Sequence, residues 1–135
     1  MQILQTSEVP VRIEEDLVRV RQVARTAATQ AGLSLVDQTK LVTAASELAR
    51  NTLIYGGGGT ARIDMVEAAG RNGVRIAFED HGPGIADLQL ALTDGYTTGH
   101  GLGLGLSGAK RLCSEFEVTS EAGKGTTVVI TRWKG

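Results

Sequence analysis

The sequence contains little cysteine, no excess of charge of either sign and no long apolar run. Its one cysteine, Cys113, cannot form an internal disulfide, and we assign it no role. The 14 basic and 15 acidic residues give a net charge of −1, without the positive excess that non-specific nucleic-acid binding leaves in a composition. No apolar run approaches the roughly 20 residues that span a bilayer, and the N-terminus lacks the basic-then-apolar order of a secretion signal. We therefore expect a cytoplasmic protein that binds neither nucleic acid nor membrane.

Glycine, in contrast, is abundant: 18 of 135 residues, nearly twice the average of about 7%. Fourteen of these glycines lie in four clusters, at 56–59, 82–84, 95–108 and 123–125. Such clusters are typical of places where the backbone turns sharply or approaches a partner closely. A chain of this length makes one domain, so we expect residues 1–135 to form a single domain that carries the whole function.

Apolar residues at helical spacing predict helices between these clusters. Residues 14–31 show this spacing and are followed by Gly32, a natural helix stop. Ser34 opens a second helix like a capping box, and this helix runs to Tyr55. A further helix is predicted over residues 104–114.

Alternating apolar and polar residues predict antiparallel strands in the second half of the chain. The segments are RIDMV, GVRIAFED, FEVTS and TTVVITRW, with hairpin-like connections at 70–73 and 121–125. Helices gathered against an antiparallel sheet make an α+β fold, a two-layer sandwich.

Two polar residues, Glu47 and Asn51, lie one helical turn apart just beyond the apolar stripe of the second helix. One interpretation is a solvated helix shoulder. The other is a helix edge that borders a pocket, where Asn51 offers its amide oxygen to Mg²⁺ and Glu47 takes a proton.

The segment FEDHGPGI places an acid, Asp80, at the end of a strand. A carboxylate only accepts hydrogen bonds, which suits an exocyclic amine, and Gly82 and Gly84 let the backbone turn around a flat ring. The alternative is an ordinary turn with Asp80 solvated and Pro83 at its corner. We interpret His81 as loop surface.

The loop GHGLGLGL leads into the predicted third helix. Here Gly101, Gly103 and Gly105 would present successive N–H donors beside the positive end of the helix dipole, which predicts a phosphate site.

Two other phosphate-binding patterns fit this sequence less well. The Gly123-Lys124 pair is followed by glycine, whereas a Walker loop needs Ser or Thr there. Gly103, Gly105 and Gly108 match GxGxxG, with Glu121 near the position of a ribose-binding acid. That dinucleotide fingerprint must directly follow a strand and needs parallel βαβ units. Because the predicted strands are antiparallel, we favour a phosphate site in the glycine loop before the third helix.

Taken in order, SELARN on a helix, EDHGPG after a strand, GLGLGL before a helix and GT before a strand resemble the Bergerat fold of the GHKL ATP-binding family, which includes gyrase and histidine kinases. The resemblance implies ATP and Mg²⁺ as cofactors, with Glu47 as base, Asn51 as Mg²⁺ ligand and Asp80 holding the adenine amine. It also implies that Thr126 lies near adenine. The nucleotide would further contact Gly82 and Gly84 and a glycine-rich lid formed by Gly101, Leu102, Gly103, Leu104 and Gly105.

Within this family the segments TAASELARN, FEDHGPGI and DGYTTGHGLGLGLSGAKRL look like the RsbT-type switch kinases of bacterial stressosomes, and the resemblance covers residues 8–134. It implies phosphoryl transfer from ATP to a serine or threonine of a STAS-domain protein and activation of a partner serine phosphatase. An anti-sigma factor or nucleotide-gated binding module, with a sigma factor as partner, is the alternative. The sequence departs from the pattern of this family at two places. The tetraglycine after Tyr55 could loosen the helix end, and His81 could alter contacts beside adenine.

Overall fold

A computed structural model describes residues 1–84 and 105–135 of the chain. In this part of the chain, five strands form one sheet in the order β1-β2-β3-β5-β4, and every pair of neighbours is antiparallel. The elements in chain order are β1 (Gln2–Val11), α1 (Glu14–Gln30), α2 (Leu35–Ile54), β2 (Gly59–Ala68), β3 (Arg71–Asp80), α3 (Gly105–Arg111), β4 (Glu115–Glu121) and β5 (Gly125–Trp133). None of the described helices is long and apolar enough to cross a membrane.

The first two helices begin at side-chain caps. The carboxylate of Asp16 accepts hydrogen bonds from the backbone N–H groups of Arg12 (2.9 Å) and Ile13 (3.1 Å) at the start of α1. The Ser34 hydroxyl accepts from the Asp37 N–H (3.1 Å) at the start of α2, which is one of the two hydrogen bonds of the predicted capping box. Both helices lie where the apolar spacing predicted them.

The third helix is shorter than predicted, because it ends at Arg111 rather than at residue 114. The next two N–H groups, of Leu112 and Cys113, bond three residues back, to the carbonyls of Ala109 (3.1 Å) and Lys110 (3.3 Å). Ser114 then donates to the Thr131 carbonyl of β5 (2.8 Å), so sheet pairing replaces the helical bonds.

The first strand, β1, is not predicted from the sequence, and it pairs with β2 at the edge of the sheet. Only Val9 and Val11 of this strand are buried, and its other residues are exposed or half-buried. Such an edge strand shows little alternation between apolar and polar residues, and so its sequence carries a weak signal.

The core lies between α1, α2 and one face of the sheet. The predicted alternation in β3 is confirmed, since Val74, Ile76 and Phe78 are all buried in this core. They meet side chains from the helices that include Val20, Leu41 and Leu48. This packing places the C-terminal end of α2 against the sheet beside the end of β3.

The hairpin between β2 and β3 turns one residue earlier than predicted, at Ala69 and Gly70. Both residues have positive φ (52° and 77°), as a two-residue type I′ turn requires. Gly73 instead lies inside β3, where a Cβ would come within 2.7 Å of the Trp133 ring. The predicted connection at 121–125 is confirmed, with Gly123 at φ 80°.

Candidate functional site

The carboxylate of Glu47 is buried on α2, with the residue only 2% exposed. Asn51, one turn later, is half-buried. The solvated-shoulder interpretation is therefore wrong for Glu47, because a carboxylate that is merely solvated would stay in contact with water. The two side chains share one edge of α2, as their spacing predicted.

A half-buried carboxylate, that of Asp80, ends β3. Its Oδ1 accepts hydrogen bonds from two backbone N–H groups, those of Gly82 (2.9 Å) and Thr126 (3.2 Å). Thr126 lies at the start of β5, and its Oγ1 lies 2.9 Å from the Ser120 Oγ. The structure thus brings together Asp80 and Thr126, two residues that the sequence analysis placed at one site.

Three glycines near Asp80 lie where a Cβ would collide either with Asp80 or with another of these glycines. A Cβ on Gly56 would overlap the Asp80 carboxylate, and one on Gly125 would overlap the Asp80 carbonyl oxygen. A Cβ on Gly82 would lie 2.7 Å from the Gly56 carbonyl oxygen. The end of α2, the loop after β3 and the start of β5 therefore meet at Asp80 with their backbones in contact.

The tetraglycine after Tyr55, a departure that could loosen the helix end, takes part in backbone hydrogen bonds there. The N–H groups of Tyr55 and Gly56 both donate to the Asn51 carbonyl (3.0 and 3.1 Å), and Gly58 donates to the carbonyl of Thr52 (2.9 Å). Gly56 is the site residue that sequence reasoning missed. Its signal was present in the glycine run, but nothing in the sequence named Asp80 as its neighbour.

The loop that follows Asp80 is held by the β4–β5 hairpin. Gly84 has a φ of 79°, and a Cβ there would lie 2.5 Å from the Glu121 carbonyl oxygen. The Gly123 N–H donates to the Pro83 carbonyl (2.8 Å). His81 is exposed as predicted, and its Nε2 lies 3.5 Å from a partner that the sequence did not indicate, the Glu79 carboxylate.

Most of the predicted glycine-rich lid, Gly101, Leu102, Gly103 and Leu104, lies outside the described residues. Gly105 opens α3, and Leu106 and Ala109 of this helix are buried in the core.

The thiol of Cys113 lies just beyond α3 and is partly buried, 3.2 Å from the Ala109 carbonyl oxygen. Burial raises its pKa to about 12, which keeps it protonated and unreactive near neutral pH. The assignment of no role to this residue agrees with that environment.

Within residues 1–84 and 105–135, no three His, Cys, Asp or Glu side chains are grouped so that they could hold a metal ion by themselves. A magnesium ion bound with a nucleotide needs few protein ligands, because phosphates and waters fill most of its coordination positions. A single amide oxygen, such as that of Asn51, fits this kind of site.

Three features are typical of one class of ATPase: the antiparallel sheet, the polar edge of α2 and the hydrogen-bonded carboxylate of Asp80. The family profile described as histidine kinase-, DNA gyrase B-, and HSP90-like ATPase matches residues 36–134, and the chain belongs to this family. The dinucleotide alternative is excluded, since it needs parallel strands and every strand pairing in the described parts is antiparallel.

Among individual proteins, the chain is 44% identical over 125 residues to the serine/threonine-protein kinase RsbT of Bacillus subtilis (strain 168), covering 93% of this chain and 94% of RsbT. It is 30% identical over 119 residues to the anti-sigma F factor of Thermoanaerobacter sp. (strain X514), covering 85% of this chain and 83% of that protein. The family, the α+β fold and the kinase class predicted from the motifs are thereby confirmed.

A solved structure shares the fold. The crystal structure of the RsbU and RsbW domains of Rv1364c from Mycobacterium tuberculosis aligns with a TM-score of 0.65 at 22% identity. The alignment covers 95% of this chain and 32% of the longer one.

Proposed function

We propose that this protein is an Mg²⁺-dependent serine/threonine protein kinase that acts as a switch in a stress-signalling system. The observation that carries the proposal is the position of α2: one edge bears the buried Glu47 and the half-buried Asn51, and its end lies against the carboxylate of Asp80. The residue proposed to bind adenine and the residue proposed to accept a proton therefore lie at adjoining parts of α2 and the sheet.

Adenine recognition is assigned to Asp80. Its Oδ1 already accepts from two backbone N–H groups, and so Oδ2 is the oxygen that accepts from the exocyclic amine. Thr126 contributes through its N–H, which orients the carboxylate, and lies at the adenine side. Gly82 and Gly84 let the backbone pass close to the ring.

Phosphoryl transfer is assigned to Glu47 as general base. The carboxylate takes the proton of the substrate hydroxyl as the hydroxyl oxygen attacks the γ-phosphorus. The bond from that phosphorus to the β–γ bridging oxygen breaks, and ADP leaves with the bonding electron pair. Burial of Glu47 holds it in one position, and a positioned base contributes a rate factor of about 10²–10⁴.

Two further groups complete the proposed site. The amide oxygen of Asn51 would hold Mg²⁺, which would supply neutralisation of the phosphate charge. The N–H groups of Gly101–Gly105 would hold the phosphates ahead of α3.

The protein substrate proposed is a serine or threonine of a STAS-domain protein, with a serine phosphatase as the partner activated after release. The similarity to the serine/threonine-protein kinase RsbT over nearly the full length of both chains supports this assignment. The test is to mix the protein with Mg²⁺, γ-labelled ATP and candidate STAS-domain proteins and to follow the label. Glu47→Gln serves as the inactive control. Label that reaches no serine or threonine of any candidate would contradict the substrate class.

The similarity to anti-sigma F factors, at 30% identity, supports a second candidate function. In that case the protein would bind a sigma factor and use the nucleotide mainly to set its own shape. Binding to a sigma factor would then survive Glu47→Gln, whereas signalling that depends on phosphorylation would not.

A further inference from the structure

We propose that Gly56 is a positioning residue that sets the preference of the site for ATP over nucleotides without the exocyclic amine. The missing side chain at this position lets the Asp80 carboxylate lie against the end of α2. This inference rests on the proposed binding of adenine by Asp80. It assigns a role to Gly56, which has none in that proposal.

The contact between the two residues is a close one. A Cβ built on Gly56 would overlap Asp80 Cγ and would lie 2.6 Å from both Asp80 Cβ and Oδ2. Contacts under 3.0 Å are essentially never seen for a real Cβ, so a methyl group here forces something to move. The backbone conformation does not require glycine here, because the φ angle of Gly56 is not positive. Space beside Asp80 is therefore what excludes a side chain.

Neither residue can move away without losing bonds. Asp80 Oδ1 is held by the N–H groups of Gly82 and Thr126, and the Asp80 carbonyl oxygen lies tightly against Gly125. On the other side, the Gly56 N–H donates to the Asn51 carbonyl (3.1 Å). A methyl group at position 56 would therefore rotate or displace the carboxylate, and of the two carboxylate oxygens Oδ2 is the one among the three atoms nearest to that methyl group.

Displacement of Oδ2 has a selective effect on nucleotide binding. ATP loses the acceptor of its exocyclic amine, whereas inosine triphosphate carries a carbonyl oxygen at that position and has no such bond to lose. A site that has lost the acceptor should bind both nucleotides alike. A general loss of folding or of phosphate binding would instead weaken both by the same factor.

Gly57 provides the matched control. It is the next residue in the same glycine run, and a Cβ there would have open space within 4 Å. Its φ of 73° makes alanine strained at this position. Gly57→Ala therefore perturbs the local backbone without touching Asp80.

The experiment measures the affinities of ATP and inosine triphosphate for the full chain in Mg²⁺ by calorimetry. We expect the wild type and Gly57→Ala to prefer ATP by about tenfold or more, the effect of one hydrogen bond to a charged group. Gly56→Ala should reduce this preference to about twofold or less while its affinity for inosine triphosphate stays close to that of the wild type. KM for ATP should rise in Gly56→Ala with kcat largely kept.

The outcomes separate this inference from the adenine assignment. A Gly56→Ala protein that keeps the wild-type preference overturns the role of Gly56. A wild type without preference for ATP, or an Asp80→Asn protein that retains it, overturns the adenine assignment itself.

A double variant covers the case in which Gly56→Ala fails to fold. Asp80→Gly removes the three atoms that lie nearest to the new methyl group, so we expect Gly56→Ala to cost much less stability in that background. If the methyl group costs the same stability in both backgrounds, or if the double variant also fails to fold when Asp80→Gly alone folds, the collision lies elsewhere and the inference is wrong.

Discussion

Asp80 and Thr126, 46 positions apart in the chain, are joined by a hydrogen bond of 3.2 Å from the Thr126 N–H to Asp80 Oδ1. The same oxygen accepts from the Gly82 N–H at 2.9 Å. Two fixed donors on one oxygen determine how the carboxylate is turned, and within residues 1–84 and 105–135 no hydrogen bond reaches Oδ2, the oxygen that we assign to a ligand. This geometry gives sharp expectations for substitutions at Asp80.

Asp80→Asn should weaken ATP binding by about ten- to a hundredfold. The two backbone donors require an acceptor, so the amide oxygen takes the place of Oδ1 and the NH₂ group takes the place of Oδ2. A donor would then face the donor of the adenine amine. Calorimetry in millimolar Mg²⁺ measures the change, with Glu79→Gln, an exposed neighbour, as control. Unchanged affinity in a folded Asp80→Asn protein would reject the adenine assignment.

Glu47→Gln should separate binding from chemistry. Affinity for ATP should stay within a few fold of the wild type, because glutamine preserves the shape of the buried side chain. Phosphoryl transfer should fall by about 10²–10⁴ because the base is lost. Single-turnover transfer of labelled phosphate measures the effect, with Ser46→Ala, a half-buried neighbour on α2, as control. Transfer at the wild-type rate by Glu47→Gln would remove this residue from the mechanism.

Asn51→Ala should abolish the part of nucleotide affinity that depends on Mg²⁺. The backbone carbonyl of Asn51, which accepts from Tyr55 and Gly56, remains in this variant, so the end of α2 should stay intact. ATP affinity is measured with Mg²⁺ and with EDTA. The wild type should bind more tightly with Mg²⁺, and the variant should bind equally under both conditions. A variant that keeps the full response to Mg²⁺ would show that the ion is held by other groups.

The ion pair between Asp37 and Arg132, 2.7 Å apart, joins the start of α2 to the end of β5 and should make stability depend on pH. The hydrogen bond from Arg132 lowers the pKa of Asp37 below its ordinary value of 3.8. Its contribution is therefore complete above the unfolded-state pKa and is lost as pH falls through the lower folded pKa. Asp37→Asn should reduce the free energy of unfolding at pH 7 by about 1–3 kcal/mol.

The difference between wild type and Asp37→Asn should shrink as pH falls below about 4. Urea unfolding from pH 7 to pH 3 measures it. The matched control is Glu121→Gln, which breaks an exposed pair with Lys124 (3.3 Å) and should change the free energy of unfolding by less than about 1 kcal/mol. A difference at Asp37 that stays constant with pH would contradict the assignment.

Ala69→Asn should stabilise the β2–β3 hairpin by about 0.5–1 kcal/mol. Alanine at a φ of 52° is strained, and asparagine followed by Gly70 is the preferred pair for a type I′ turn. Thermal unfolding measures the gain. Gly70→Ala, at a φ of 77°, should change stability in the opposite direction. Destabilisation by Ala69→Asn would contradict the assignment of backbone strain to Ala69 in this turn.

The sequence by itself determined the features that repeat along the chain. Burial on one side of a helix or strand imposes a local period, so α1, α2 and the inward-facing Val74, Ile76 and Phe78 could be predicted from spacing alone. The placement of Glu47 and Asn51 on one helix edge follows from the same local geometry. The edge strand β1 escaped prediction because so few of its residues are buried.

Tertiary structure alone decided which distant residues meet. The N–H of Thr126 reaches Asp80 because β5 pairs with β3, and Gly56 meets Asp80 because the core fixes the end of α2 against that sheet. No periodic pattern in the sequence predicts either contact, since each depends on strand register and helix packing across segments far apart in the chain. Two glycines of the same run show the difference: a side chain at Gly57 would enter open space, whereas one at Gly56 would strike the Asp80 carboxylate.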